Sequence, residues 1–243
     1  MTTLWIPPNW PAPDNVQAIC TTVSFGNLAT HAGDQKHVLE NRLNIRKEFD
    51  LPFEPAWLNQ THSNHVVNIQ KPIHEAGSVI ADCDASYTAL ASQACVVLTA
   101  DCLPLLLCDK AGQQVAAVHA GWKGLANGII ANTLSQFIQP EAVLVWLGPA
   151  MGPKVYEVGQ DVVDIFLGLD LDNRQAIKKS NQSNSQDKYL IDLYQLARIQ
   201  LSKLGVSHIY GGEYCTYSQP DLFYSYRRDN QTGRMASLIW KKR

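Results

Sequence analysis

Three short segments carry side chains able to do chemistry: LNQTHSNH (58–65), TADCLP (99–104) and VHAGWKG (118–124). Together His62, Cys102 and His119 offer two imidazoles and one thiol, a donor set that zinc accepts. Three protein donors leave a fourth position for water or substrate, the arrangement of a catalytic zinc site. Water held there loses its proton near neutral pH. The same residues also suit a metal-free chemistry, with Cys102 as nucleophile and His119 as its base. Spacing alone leaves both open. None of the six cysteines forms a C-x-x-C pair, and His62 with His65 makes only an H-x-x-H.

Such side chains need rigid elements behind them. Apolar runs predict strands over 16–23, 66–69, 95–100, 103–108, 115–119, 143–147, 207–210 and 235–240. Several are continuously apolar, which implies strands covered on both faces. A hairpin through residues 109–113 would bring the two strands around it together, and Cys102 and His119 with them. Helices are expected over 35–49, capped by Asp34 and carrying Val38, Leu39, Leu43 and Ile45; over 124–138; over 160–167; and over 191–204, stopped by Gly205. The polar stretch KKSNQSNSQDK (178–188) reads as an exposed loop. Strands and helices mix without strict alternation, which predicts a layered mixed α/β (α+β) fold. No G-x-G-x-x-G or P-loop sequence is present.

The chain has 243 residues, 46% hydrophobic and 17% charged. That is enough to bury a core without a structural metal or disulfides, so a metal site points to chemistry rather than stapling. A net charge of −2 offers no basic surplus, which argues against nucleic acid as partner. A small anion needs only one or two local cations. The first residues lack a basic and an apolar region, and no apolar run nears membrane-spanning length. A cytoplasmic protein with free thiols is expected.

These motifs, in this order, resemble the laccase-domain, or YfiH-like, family. The matching stretches run along most of the chain: NLATHAGD (27–34), ENR (40–42), WLNQTHSNHV (57–66), ADCDASYT (81–88), LTADCLPLLLCD (98–109), VAAVHAGWKGLANGI (115–129), WLGPAMGPKVYEVG (146–159), DLYQLAR (192–198) and YSYRRDNQTGRMASLIW (224–240). The pair TADCLP and HAGWKG is the most specific. The resemblance implies one domain over residues 1–243, layered α-β-β-α like a cysteine-dependent toxin deamidase. It implies a single zinc on His62, Cys102 and His119. It also implies phosphorolysis of purine nucleosides, with adenosine deamination and cleavage of methylthioadenosine, and a link to editing of peptidoglycan precursors. The family's older label is polyphenol oxidase. The family usually carries an Arg-x-Gly-Gly-x-Ser segment before its Asn-Leu-Gly motif, and here the chain runs TTVSFGNLATHAGD (21–34) without it.

Within the matched motifs, Asp101 and Glu157 are the carboxylates able to act as acid in deamination, given a pKa raised by burial. Arg227, Arg228 and Lys123 are the cations suited to phosphate, and Asn27 is a further candidate for substrate binding. Trp122, Tyr156 and Tyr226 could stack on a base. A multicopper oxidase needs a trinuclear cluster with many imidazoles, whereas this chain has seven His and no H-x-H. Copper is therefore expected only as an adventitious substitute for zinc. Two other readings stand beside this one: a metal-free cysteine hydrolase or amidase built on Cys102 and His119, and a non-enzymatic metal- or partner-binding protein. The oligomeric state is open.

Overall fold

The computed structural model describes residues 3–181 and 187–242. In chain order its strands are β1 (Trp5–Ile6), β2 (Val16–Thr21), β3 (Trp57–Asn59), β4 (Val66–Ile69), β5 (Val79–Asp82), β6 (Ala85–Thr88), β7 (Cys95–Thr99), β8 (Leu103–Asp109), β9 (Val115–Ala120), β10 (Val143–Leu147), β11 (Glu157–Gly159), β12 (Ile177–Lys179), β13 (Lys188–Ile191), β14 (His208–Gly211) and β15 (Met235–Lys241). Its α-helices are α1 (Gln35–Glu48), α2 (Trp122–Ala126), α3 (Ile129–Leu134), α4 (Gln160–Leu169), α5 (Leu193–Lys203) and α6 (Tyr226–Asp229).

The continuous apolar runs are strands buried on both faces. In β8, Leu103, Leu105 and Leu107 enter one core while Leu106 and Cys108 enter another. In β9, Ala116, Val118 and Ala120 separate in the same way from Val115 and Ala117. This period of two is the pleat of a strand. Both strands lie inside a six-stranded sheet of order β14-β10-β8-β9-β6-β4. A second sheet, β1-β2-β15-β7, faces it. Cys20, Cys95, Val97, Met235 and Ile239 of the second sheet share one apolar layer with Leu106, Val115, Ala117 and Trp146 of the first. Leu125, Ile129, Ile130, Leu134, Phe166, Leu196 and Leu201, from α2 to α5, cover the outer face of the larger sheet. Ile45 of α1, with Leu28, packs on the outer face of the smaller one. The result is the mixed α/β architecture that the sequence predicts.

Local differences from the expectation have local causes. The helix expected over 124–138 is two short helices, because Gly128 adopts φ 84° between α2 and α3. Helix α1 begins where expected, with the Asp34 side chain accepting from the His37 amide at 3.0 Å. Its buried face, however, is Val38, Arg42 and Ile45, while Leu39 and Leu43 are exposed. The stretch read as a loop over 178–188 begins in β12 and ends in β13, and residues 182–186 lie outside the described residues. Strands β11 to β13, of three, three and four residues, are too short for their period to be read.

Candidate metal centre and active site

Strand parity and register bring two of the three donors together. Strands β8 and β9 pair antiparallel, with Leu103 opposite Ala120 and Pro104 opposite His119. Side chains at 104, 106 and 108 and at 115, 117 and 119 therefore share one face, the one between the sheets. Cys102 precedes β8 with the same parity. It sits against Gly121, where an added Cβ would lie 2.9 Å from the Cys102 Sγ. Glycine at 121 thus makes room for the thiol, and α2 starts from it.

The third donor, His62, comes from the loop between β3 and β4 and is held there in a left-handed conformation, φ 60°. Such a conformation costs a residue with a Cβ about 1–3 kcal/mol. Asp84 offsets this cost. Its carboxylate accepts from the amides of Thr61 (3.2 Å), His62 (3.0 Å) and Ser63 (2.6 Å) and from the Ser63 hydroxyl (2.7 Å). Converging backbone N–H groups around an αL residue form an anion nest, here filled by a side chain of the protein itself. The loop is also pinned to the strand edge by Gln60, whose amide donates to the Leu98 carbonyl and accepts from the Leu98 amide at 2.8 and 2.7 Å.

Asp84 has a second role. Its Oδ1 lies 2.7 Å from Nδ1 of His119, and both residues are buried. The carboxylate fixes that nitrogen as the protonated one and leaves Nε2 for the cavity, the support that metal-bound histidines normally have. Asp84 was not among the residues singled out from the sequence. Its signal is an acid entering the wholly buried strand β6.

The donor atoms of His62, Cys102 and His119 all lie within 4.8 Å of one another, and the Cys102 Sγ is 3.8 Å from Nε2 of His62. A tetrahedral ion with bonds of about 2.0–2.3 Å spaces its donors by roughly 3.5 Å, so a small contraction would close the triad on a metal. Two imidazoles and a thiol suit zinc or copper and are poor ligands for magnesium or calcium. Among the described residues this is the only group of three or more His, Cys, Asp or Glu side chains able to hold a metal. A trinuclear copper cluster has no ligand set there. The electrostatics couple Cys102 and His119 as a thiolate–imidazolium pair. Burial pushes the Cys102 thiol up, but His119 and His62 outweigh it and bring it down to about 6. Burial pushes His119 down, but Cys102 and Asp84 outweigh it and raise it to about 9.

Two cavities meet at the triad. The larger, about 650 Å³, is bordered by His62, Cys102 and His119 and also by His31, Arg42 and Arg234. The smaller, about 270 Å³, adds Trp122, Lys123, Tyr156 and Arg227 to His62 and Cys102. Tyr226 borders both. A volume in the hundreds of Å³ is that of a small-molecule site.

The remaining residues expected at the site divide. Lys123 and Arg227 face the smaller cavity, and Arg227 also donates to the Glu157 carbonyl at 3.1 Å. Arg228 does not reach either cavity. Its five N–H groups donate to the carbonyls of Thr216, Tyr217 and Phe223 and to both Asp229 oxygens, leaving none for phosphate. Asn27 is likewise internal: its side chain bonds Ala29, Ala32 and the Arg234 amide. Asp101 takes φ 91° just before Cys102, and its carboxylate accepts from the Thr216 hydroxyl and the Arg227 amide at 2.6 and 2.7 Å. It tethers the turn that presents the thiol. The Glu157 carboxylate accepts from the Ser180 hydroxyl at 2.7 Å and borders neither cavity. Sequence reasoning missed His31, Arg42 and Arg234.

Residues 20–242 match the family model described as multi-copper polyphenol oxidoreductase laccase. The chain is 44% identical to a Haemophilus influenzae protein named purine nucleoside phosphorylase, over 97% of this chain and 98% of that one. It is 43% identical to the Escherichia coli protein named purine nucleoside phosphorylase YfiH, with the same coverage. A crystal structure of a Neisseria meningitidis protein superposes with a TM-score of 0.89 at 42% identity, covering 99% of this chain and 100% of that one.

Proposed function

Because the chain belongs to the multi-copper polyphenol oxidoreductase laccase family, we propose that it is a zinc-dependent purine nucleoside phosphorylase of the cytoplasm, acting on adenosine, inosine, guanosine or methylthioadenosine. The observation that carries this reading is the donor triad opening on a 650 Å³ cavity that His31, Arg42 and Arg234 also line. A phosphorylase needs such a basic lining, since it binds a neutral nucleoside beside an anion. Triad and cavities draw on residues from Thr30 to Arg234, so we treat residues 1–243 as one catalytic unit.

In phosphorolysis an oxygen of hydrogen phosphate bonds to the anomeric carbon of the ribose as the carbon–nitrogen bond to the purine breaks. The electron pair of that bond leaves with the base, and the proton of hydrogen phosphate ends on it. Zinc held by His62, Cys102 and His119 supplies a fixed positive charge and a Lewis acid at the cavity wall. Asp84 orients His119 and His62. Tyr226, between the two cavities, offers a ring face to the base, and Lys123 and Arg227 draw anions toward the mouth. Deamination would need a free acid beside the base, and the carboxylates of Asp101 and Glu157 are both held by other partners.

The test is product analysis of zinc-loaded protein given adenosine with and without phosphate. Adenine and ribose 1-phosphate that appear only with phosphate, and are lost in His62→Ala and Cys102→Ala, are expected. Inosine formed without phosphate would replace this reading with hydrolytic deamination, and the absence of any product would sink the nucleoside reading.

One observation favours a second reading. Asp84, His119 and Cys102 form an acid–imidazole–thiol series with the thiol lowered to about 6, the geometry of an activated cysteine nucleophile. The expected likeness to a toxin deamidase belongs to this reading, as does a peptide amide substrate from the cell wall. Chelation separates the two, because it activates a thiol enzyme and silences a zinc enzyme.

A further inference from the structure

We propose that Arg42, Arg234 and His31 form the phosphate subsite of the larger cavity. The proposal rests on the nucleoside-phosphorylase reading and adds to it where the anion sits.

All three side chains border that cavity. None forms an ion pair with a carboxylate among the described residues. Arg42 is the most constrained. It is 3% exposed, its Nε donates to the Leu28 carbonyl at 3.0 Å, and its guanidinium covers the Trp57 ring at 4.0 Å. Its Nη1 is buried without any hydrogen-bond partner. A buried guanidinium N–H left unpaired costs the desolvation of a charged group. The neighbouring acid, Glu54, does not relieve it, because its oxygens accept from Arg46, Trp57 and the Gly77 amide. Burial accordingly brings Arg42 down to about 10.

Arg234 donates through Nη1 to the carbonyls of Thr232 and Gly233, while its Nε and Nη2 meet no protein acceptor among the described residues. His31 is near enough for both arginines to disfavour its charged form, after burial, which is the larger cause. Three basic groups thus border one space without a salt bridge, although Glu54 lies near Arg42 and Cys102 and Asp101 lie near Arg234, and a dianion entering that space would pair with them at closer range.

The arrangement is built by the chain rather than left by chance. Asn27 holds the Ala29 and Ala32 carbonyls, so that it shapes the turn bearing Thr30 and His31. Through its Oδ1 it also holds the Arg234 amide. Asn41 donates to the Asn27 carbonyl from α1, one residue before Arg42. One asparagine therefore ties the three basic residues to each other. Lys123 and Arg227 are exposed on the other cavity and gain less from an anion, because water already solvates them.

The experiment is equilibrium dialysis of radiolabelled inorganic phosphate against zinc-loaded protein, with KM for phosphate and for adenosine measured in parallel. In Arg234→Gln and His31→Gln the Kd for phosphate is expected to rise about tenfold or more, with KM for phosphate rising alongside and KM for adenosine little changed. Arg42→Gln should act in the same direction; because Arg42 is buried, the two other variants decide if it fails to fold. Cys102→Ala, which removes a metal donor and no anion donor, should retain phosphate. Unchanged phosphate Kd in both Arg234→Gln and His31→Gln, or loss of phosphate in Cys102→Ala alone, overturns the subsite. Adenosine 5′-phosphate bound more tightly than free phosphate, with the same sensitivity to the variants, would overturn the assignment to the free ion. Phosphate bound by these residues without nucleoside turnover would keep the subsite and reject the phosphorylase; phosphorolysis with variant-insensitive phosphate would do the reverse.

Discussion

The Asp84 carboxylate stands 2.7 Å from Nδ1 of His119 and, through the same two oxygens, accepts the amides of residues 61 to 63. One buried acid thus positions two of the three metal donors, one through its ring and one through its backbone. Asp84→Asn removes the charge and the capacity to accept on both oxygens. Metal affinity is expected to fall about 10- to 100-fold, read by competition with a chromophoric chelator. Breaking a buried pair from one side also destabilises the fold by about 3–5 kcal/mol, read by urea unfolding of the metal-free protein. An unchanged metal affinity would show that His119 and His62 are held by packing alone.

The same group sets an acid limit. Burial pushes Asp84 up, but His119 and Ser63 outweigh it and hold it well below the ordinary value of 3.8. A group whose folded pKa is depressed contributes stability above its unfolded pKa and loses it as pH falls toward the folded one. Unfolding free energy of the metal-free protein should therefore drop below about pH 4, and Asp84→Asn should flatten that drop. Parallel curves for both proteins would assign the acid sensitivity elsewhere.

Metal uptake should expel protons with a definable pH dependence. Near pH 7.5 Cys102, at about 6, is a thiolate and His119, at about 9, an imidazolium. Zinc requires the thiolate and the neutral imidazole, so binding displaces about one proton. For His119, whose folded pKa is raised, its own contribution to stability is fully present below the unfolded value of 6.5 and lost as pH rises through 9. Metal affinity should thus climb roughly tenfold per pH unit toward 9 and steepen below 6, where the thiol also protonates. Calorimetry in buffers of different ionisation enthalpy counts the protons; none released at pH 7.5 would mean that the thiolate–imidazolium pair does not form.

Gly121 offers a test with little effect on the fold. Its φ suits any residue, but a Cβ there would lie 2.9 Å from the Cys102 Sγ and 3.1 Å from a ring carbon of His62. Gly121→Ala must displace the ends of two donor side chains. It should cost less than about 1 kcal/mol of stability at a helix start, yet weaken metal binding about 10- to 100-fold, as for other losses of support around a metal. Equal affinity in the variant would mean that the triad has slack to spare.

How far each part of this site is legible in the sequence follows from how it is built. Cys102 and His119 are readable because they lie just before β8 and near the end of β9, strands whose apolar runs are long and whose parity is shared. His62 has no such period behind it. It lies in a loop held at φ 60° by an acid 22 residues away, so only the resemblance to a family points to it. Asp84 hides for another reason, standing just before a buried strand, β6, that the apolar runs do not predict. Arg42 occupies the buried face of α1 between Val38 and Ile45, where an apolar side chain is expected, and its worth depends on Arg234 and His31 arriving from distant segments. Arg228 is the converse case: beside Arg227 in sequence, it caps carbonyls instead of facing a cavity.

Thiol chemistry should single out Cys102. Burial pushes Cys20, Cys95 and Cys108 up to about 12 and Cys83 up to about 11, and all four are buried. Only Cys102 and Cys215 have partial exposure, and of these Cys102 is lowered, to about 6. A thiolate is the reactive form, so iodoacetamide at pH 7 should label Cys102 first in chelator-treated protein, with peptide mapping as the readout. Zinc should protect it by occupying the sulfur, leaving Cys215 as the residual site. The activities then separate the two readings of the triad. If labelling of metal-free protein prevents zinc uptake and abolishes phosphorolysis, Cys102 acts as a ligand. If chelation instead releases an amidase activity that labelling destroys, the thiol is the nucleophile and zinc its inhibitor.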